Sequence, residues 1–208
     1  MASMVVQSSS SLPRSRGRPR EFNADKVLDQ AIRVFSERGY AGASITDLTR
    51  AMRLAQGSLY KAFKDKQSLF LAALDRYRTQ RTQNLRQTIN NGGTGLERLH
   101  AALTFYAESA HGTTGRQGCL VVASTVELST LDKSVADHVA AALARNEAML
   151  ADLIRQGQAD GSIKIHVDAE ATARMLLCLT QGMRVVGKTG RSRAQMQAVV
   201  TTALKALA

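Results

Sequence analysis

Gln56, Ser58, Tyr60 and Lys61 lie close together in the chain, and each ends in a group that recognises nucleic acid. A glutamine amide matches the N6/N7 edge of adenine, and a serine hydroxyl can address a base or a phosphate. A lysine ammonium such as that of Lys61 can also reach a base edge, while tyrosine hydroxyls hold a protein on the DNA backbone. Thr46 is a further backbone or base candidate. Lys66 would stand at the start of a long helix, pairing a cation with free N–H groups as a phosphate clamp. The chemistry these residues suit is recognition of duplex DNA.

Two helices must position them. Residues 45–63, ITDLTRAMRLAQGSLYKAF, contain two short helical patterns separated by a few residues. Ile45, Leu48, Leu54, Leu59 and Phe63 form an apolar skeleton that would lock the helices together and turn the polar groups outward. Leu59 and Phe63, four residues apart, define an inner face, and Tyr60 falls about 100° from Leu59 around the helix. The pattern predicts a helix-turn-helix whose second helix enters the major groove. Ser44 and Asp47 have the spacing of a capping box.

The rest of the chain reads as all-α. Residues 1–20 form an expected disordered arm with a serine run and Arg14, Arg16, Arg18 and Arg20. Pro13 and Pro19, the only prolines, are both in it. Asn23 would cap a first helix over residues 25–38. Further helices are expected at residues 55–63, 65–89, 96–110, 119–128, 134–158, 169–186 and 192–207, with loops between. This gives a basic arm (1–20), a helix-turn-helix domain (21–66) and a larger helical domain for effector binding and dimerisation (67–208).

The net charge of +11 favours a polyanionic partner. Residues 1–66 carry 12 Lys and Arg against 6 Asp and Glu, so the excess is densest there. The start lacks the apolar run of a signal peptide, and no span reaches the ~18 uninterrupted apolar residues of a membrane helix. Two cysteines without CxxC spacing fit a reducing cytosol, so a soluble cytoplasmic protein is expected. His100, His111, His138 and His166 have no ligand-type neighbour at helical spacing, and nucleotide-binding and hydrolase motifs are absent. No metal, no cofactor and no enzymatic activity are expected.

GRPREFNADKVLDQAIRVFSERGYAGASITDLTRAMRLAQGSLYKAFKDKQSLF resembles the N-terminal domain of the TetR/AcrR family of bacterial transcriptional regulators. The pieces carrying the resemblance are VLDQAIRVFSERGY, the helix opening at Ser44, and GSLYKAFKDKQSLF. It implies a homodimeric, ligand-released repressor with an all-helical second domain, and gives Tyr60 to a phosphate. Two positions depart from the family pattern. Arg53 stands in the turn where glycine is common and would have to adopt a strained positive φ. Ala55 replaces the usual polar cap of the recognition helix.

Arg16, Arg18 and Arg20, in RGRPR, resemble the core of an AT-hook and suit a narrow minor groove. Two late apolar stripes fit a four-helix bundle between subunits: Met175, Leu179, Met183 and Val186, then Met196, Val199, Val200 and Leu204. An intrachain core would use the same stripes. For the unidentified small-molecule effector, Phe105, Tyr106, Cys119, Val122 and Thr125 are the candidate pocket residues. Cys119 opens a helical segment, which suits either packing or a redox- or electrophile-sensing thiol. The rivals to an operator-specific repressor are a non-specific architectural DNA-binding protein and, with less support, an enzyme using Cys119 as nucleophile.

Overall fold

The computed structural model describes residues 24–90, 93–127, 133–205 and 207. Arg16, Arg18, Arg20, the Asn23 cap and parts of two expected loops lie outside the described residues. Every regular element among the described residues is helical: α1 Ala24–Gly42, α2 Ile45–Met52, α3 Gln56–Ala62, α4 Lys66–Ile89, α5 Gly95–Glu108, α6 Gly112–Gln117, α7 Leu120–Glu127, α8 Lys133–Ala159, α9 Ala169–Val186 and α10 Arg193–Lys205. A 3-10 turn, Gly187–Thr189, follows α9.

Local chemistry sets many of these boundaries. Ser44, Asp65 and Thr94 each accept from a backbone N–H three residues on, while Asp47, Ser68 and Glu97 reach back to the cap N–H. These three capping boxes satisfy donors that a helix start otherwise leaves unpaired. Asp168 caps α9 by accepting from Glu170 and Ala171. Helix α6 falls where the sequence reads as a loop, because its glycines and threonines carry weak helical signal. It survives because Gly115 packs directly on the Ala110 carbonyl, where a Cβ would come within 2.7 Å.

The hydrophobic interior does not divide at residue 66. One cluster joins Val27, Phe35, Leu48 and Leu59 of α1–α3 to Leu69, Phe70 and Leu74 of α4, and extends to Leu120 and Val139 of α7 and α8. The second gathers Leu85, Leu103, Leu150, Ile154, Leu176 and Val200 from α4, α5, α8, α9 and α10. Helix α4 contributes to both. Its 24 residues make a rod of roughly 36 Å at about 1.5 Å per residue. Arg76 ties that rod to α1, with Nε 2.7 Å from Asp29 and Nη1 2.7 Å from Asp25. The Arg76 hydrogen bond holds the Asp29 carboxyl below its ordinary pKa.

In the second cluster α5 meets α8 backbone to backbone. A Cβ on Gly95 would stand 2.0 Å from the Gly157 nitrogen, so only glycine permits this crossing. Glu108 joins α5 to α10 through Arg193 (2.8 Å) and Gln197 (2.8 Å). Hydrogen bonds from His111 and then Arg193 bring the Glu108 carboxyl down to about 2.

Candidate DNA interface and the cavity behind it

Helix α2 ends through Arg53, whose backbone is left-handed at φ 55, ψ 40 and whose N–H reaches the Arg50 carbonyl. Leu54 N–H returns to the Thr49 carbonyl at 3.0 Å and completes the turn into α3. Arg53 is the one non-glycine at positive φ among the described residues, as expected from the glycine common at that position in the family it resembles. Ala55 is the N-cap of α3 and makes no side-chain cap. Ala55→Ser is therefore expected to raise unfolding stability by about 1 kcal/mol, read from a denaturant melt.

Leu59 anchors α3, only 2% exposed, with Phe63 half-buried beside it. Gln56, Ser58 and Lys61 are exposed, and Tyr60 is 44% exposed despite its aromatic bulk. Gly57 shares this surface, and a Cβ added there would meet no protein atom within 4 Å. Thr46 is exposed on α2. Lys66 is half-buried, its ammonium 4.4 Å from the centre of the Tyr40 ring, which itself packs edge-on against Phe70. That contact holds Lys66 beside the reading head as well as near the start of α4. Arg50, Arg53 and Lys64 add exposed cations that the motif-based reading did not select.

A second device fixes the reading head from behind. Helix α1 is interrupted at Gly39, at φ 73 and ψ 176. The Glu127 carboxylate, from the far end of α7, accepts from Tyr40 N–H at 2.6 Å and Ala41 N–H at 3.0 Å. Nothing in the sequence marks Glu127, because its partners are backbone groups 86 and 87 residues away.

The opposite end of α7 borders a cavity of about 450 Å³ between α4, α5, α8 and α9. Phe105, Tyr106 and Cys119 line it, together with Tyr77, Arg81 and Arg184. Val122 and Thr125 are not among its lining residues: Val122 packs on the N-terminal cluster, and the Thr125 hydroxyl donates to the Val121 carbonyl. Val121 and Cys119, by contrast, border both the cavity and the N-terminal core. The Cys119 thiol is buried and receives the Tyr77 hydroxyl at 3.4 Å. Burial pushes this thiol up, but the charges of Arg184 and Arg81 and the Tyr77 hydrogen bond outweigh it, leaving the pKa below the ordinary value. Burial and the neighbouring Cys119 charge push Tyr77 up to about 12.

The two late stripes divide between inside and outside. Met183, Met196 and Val200 are buried within the chain, so they serve its own core rather than a subunit interface. Leu179, Val199 and Leu204 are half-buried against that core. Met175 and Val186 are exposed, at 47% and 42%. They share an outer face of α9 with exposed Cys178 and Gly182. Among the described residues no His, Cys, Asp and Glu group is placed to hold a metal, and no helix is long and apolar enough to cross a membrane.

Comparison with known proteins agrees with this architecture. Residues 27–73 match the model for bacterial regulatory proteins of the tetR family, and residues 95–203 match the tetracyclin repressor-like C-terminal domain. The HTH-type transcriptional repressor ComR of Escherichia coli (strain K12) is 29% identical over 205 residues, covering 97% of each chain. The HTH-type transcriptional repressor DhaR of Mycobacterium sp. (strain GP1) is 26% identical over 182 residues, 87% of this chain and 90% of DhaR. A cysteine mutant of the TetR family transcriptional regulator CifR, solved with a 26-bp double-strand operator DNA, superposes with a TM-score of 0.82. It is 31% identical, over 92% of this chain and 100% of that one. With both of its parts matched, this chain belongs to the TetR family of DNA-binding transcriptional regulators.

Proposed function

We propose that this protein is a homodimeric repressor that binds a pseudo-palindromic operator and is released when a small molecule fills the cavity bordered by Cys119. The observation that carries the DNA reading is the outer row of α3, where Gln56, Ser58, Tyr60 and Lys61 are all exposed on a helix anchored by Leu59. Gln56 and Ser58 lie at its N-terminal end, the part that reaches base edges in this motif. Tyr60, Thr46 and Lys66 hold phosphates, and Arg16, Arg18 and Arg20 reach an adjacent minor groove. The repressor role accords with the names of ComR and DhaR, and operator binding with the CifR complex.

Two copies join through the outer face of α9, where Met175, Leu179, Gly182 and Val186 recur at helical spacing. Their reading heads then address half-sites one helical turn apart, about 34 Å. The signal travels through two elements that touch both sides. Helix α4 carries Lys66 at one end and lines the cavity with Tyr77, Arg81 and Leu85 further along. Helix α7 follows Cys119 at the cavity and ends in Glu127 on the α1 junction. A ligand that favours another tilt of these helices changes the spacing of the heads, which is a differential contact between two states. The protein acts in the cytoplasm, where its DNA partner is.

The test is selection of genomic fragments by the purified full chain, followed by footprinting. The reading predicts one or a few protected elements with two-fold related halves. Uniform protection without a preferred sequence would overturn it in favour of non-specific coating of DNA.

A further inference from the structure

The cavity contains a charge arrangement that the chain itself leaves incomplete. Arg184 is 2% exposed, and one of its nitrogens donates to the Gly118 carbonyl. Its Nε and Nη1 are buried with no hydrogen-bond partner, and so is Nη2 of Arg81. Arg81 is otherwise held by Ser109 at 3.3 Å and by the face of Phe105, 4.8 Å from the ring centre. Both guanidiniums line the cavity.

No described carboxylate reaches either one. Asp152, on the cavity wall, pairs with Arg155. Glu108 is taken by His111, Arg193 and Gln197, and Glu147 by Arg174. A buried cation without a counterion is costly, so Arg184, with half-buried Arg81 on the same cavity, makes a site built for an anion. Against the upward push of burial, both arginines lower the pKa of the adjacent Cys119 thiol. Leu85, Ile89, Met149 and Leu153 give the cavity an apolar stretch of wall beside its polar lining.

We infer that the cavity binds an amphipathic anion, a carboxylate or chemically similar single head on an aliphatic tail. The head is received by Arg184 and Arg81, and the tail lies along Leu85, Ile89, Met149 and Leu153. Guanidinium N–H groups donate charge-assisted hydrogen bonds to a carboxylate, and Nε and Nη1 of Arg184 and Nη2 of Arg81 are donors left free for one. A cavity of about 450 Å³ lies within the usual range for small-molecule sites. This inference rests on the reading of the cavity as the effector site and adds the class of effector.

The experiment uses the full chain with octanoate, butanoate, 1-octanol and octylamine at constant ionic strength. Binding is followed by calorimetry and melting temperature, and operator release by anisotropy of a labelled operator duplex. Octanoate is expected to bind saturably and raise the melting temperature. It should bind at least tenfold more tightly than 1-octanol, while octylamine does not bind. Each methylene between butanoate and octanoate should tighten binding about fourfold. Arg184→Met should remove at least tenfold of the octanoate affinity and, by removing an unpaired buried charge, should itself melt no lower than the parent.

Equal binding of octanoate and 1-octanol overturns the inference, as does no binding of octanoate or unchanged octanoate affinity in Arg184→Met. If Arg184→Met does not fold, Arg81→Met answers the same question. Release of operator by 1-octanol but not octanoate would leave the effector reading intact and overturn the anionic class. Octanoate bound through Arg184 with the operator still held would support the anion site and overturn release through this cavity.

Discussion

On the proposed α9 interface, Gly182→Arg combined with Val186→Arg is expected to give a monomer that no longer holds its operator. Both positions are exposed on α9, and a Cβ at residue 182 meets no protein atom within 4 Å. The substitutions therefore leave the chain's own core, including Met183, Met196 and Val200, untouched. Across a two-fold interface they place like charges against one another, unpaired and desolvated. Operator affinity should fall by roughly 100-fold or more, because linking two reading heads multiplies affinity by about 10² to 10⁴. Light scattering gives the mass, circular dichroism checks that helicity is retained, and a gel shift reads binding. A particle of dimer mass with normal operator binding would place the interface elsewhere.

Gly39→Ala is expected to lower unfolding stability by about 3 kcal/mol, combining a conformation nearly restricted to glycine with overpacking. The new methyl group would stand 2.5 Å from a Glu127 carboxylate oxygen, on a backbone at φ 73, ψ 176. Glu127→Ala alone should also destabilise, since it removes the acceptor from Tyr40 and Ala41 N–H. The double substitution relieves the clash, so its cost should be less than the sum of the two singles. Denaturant melts of the four proteins measure the difference. Strict additivity would mean that Glu127 does not confine residue 39.

Much of the DNA-binding end was legible in the sequence because its determinants are local. The capping pair Ser44 and Asp47, the i, i+4 pair Leu59 and Phe63, and the outward Tyr60 follow from spacing alone. Arg53 could be expected at positive φ because the resemblance puts it where glycine is common in the family turn. The cavity end was less legible. Phe105, Tyr106 and Cys119 line it, but Arg81 and Arg184 are 103 residues apart in sequence, and neither belongs to a motif. Arginine on an amphipathic helix ordinarily faces water, and burial of Arg184 becomes apparent only when α4, α7 and α9 are packed together. The α9 and α10 stripes were ambiguous for a related reason. An apolar side chain at a given spacing suits a core or an interface equally, and only the packed chain shows that Met183 is inside and Met175 outside. Helix α6 escaped because tertiary contact of Gly115 overrides its weak propensity.

The central claim is that α3 reads bases while its neighbours hold phosphates, and one comparison tests it most directly. Affinities of the parent, Gln56→Ala, Gly57→Ala and Tyr60→Phe proteins are measured at one salt concentration, on the selected operator and on a duplex of scrambled sequence. Gln56→Ala should lose ~1–3 kcal/mol on the operator and almost nothing on the scrambled duplex. Gly57→Ala should fold at least as stably as the parent, since its Cβ meets no protein atom, yet bind the operator less well because the methyl group intrudes between helix and groove. Tyr60→Phe should weaken both duplexes alike. Equal losses on both duplexes for Gln56→Ala, with Gly57→Ala binding as the parent does, would contradict the placement of α3 in the major groove.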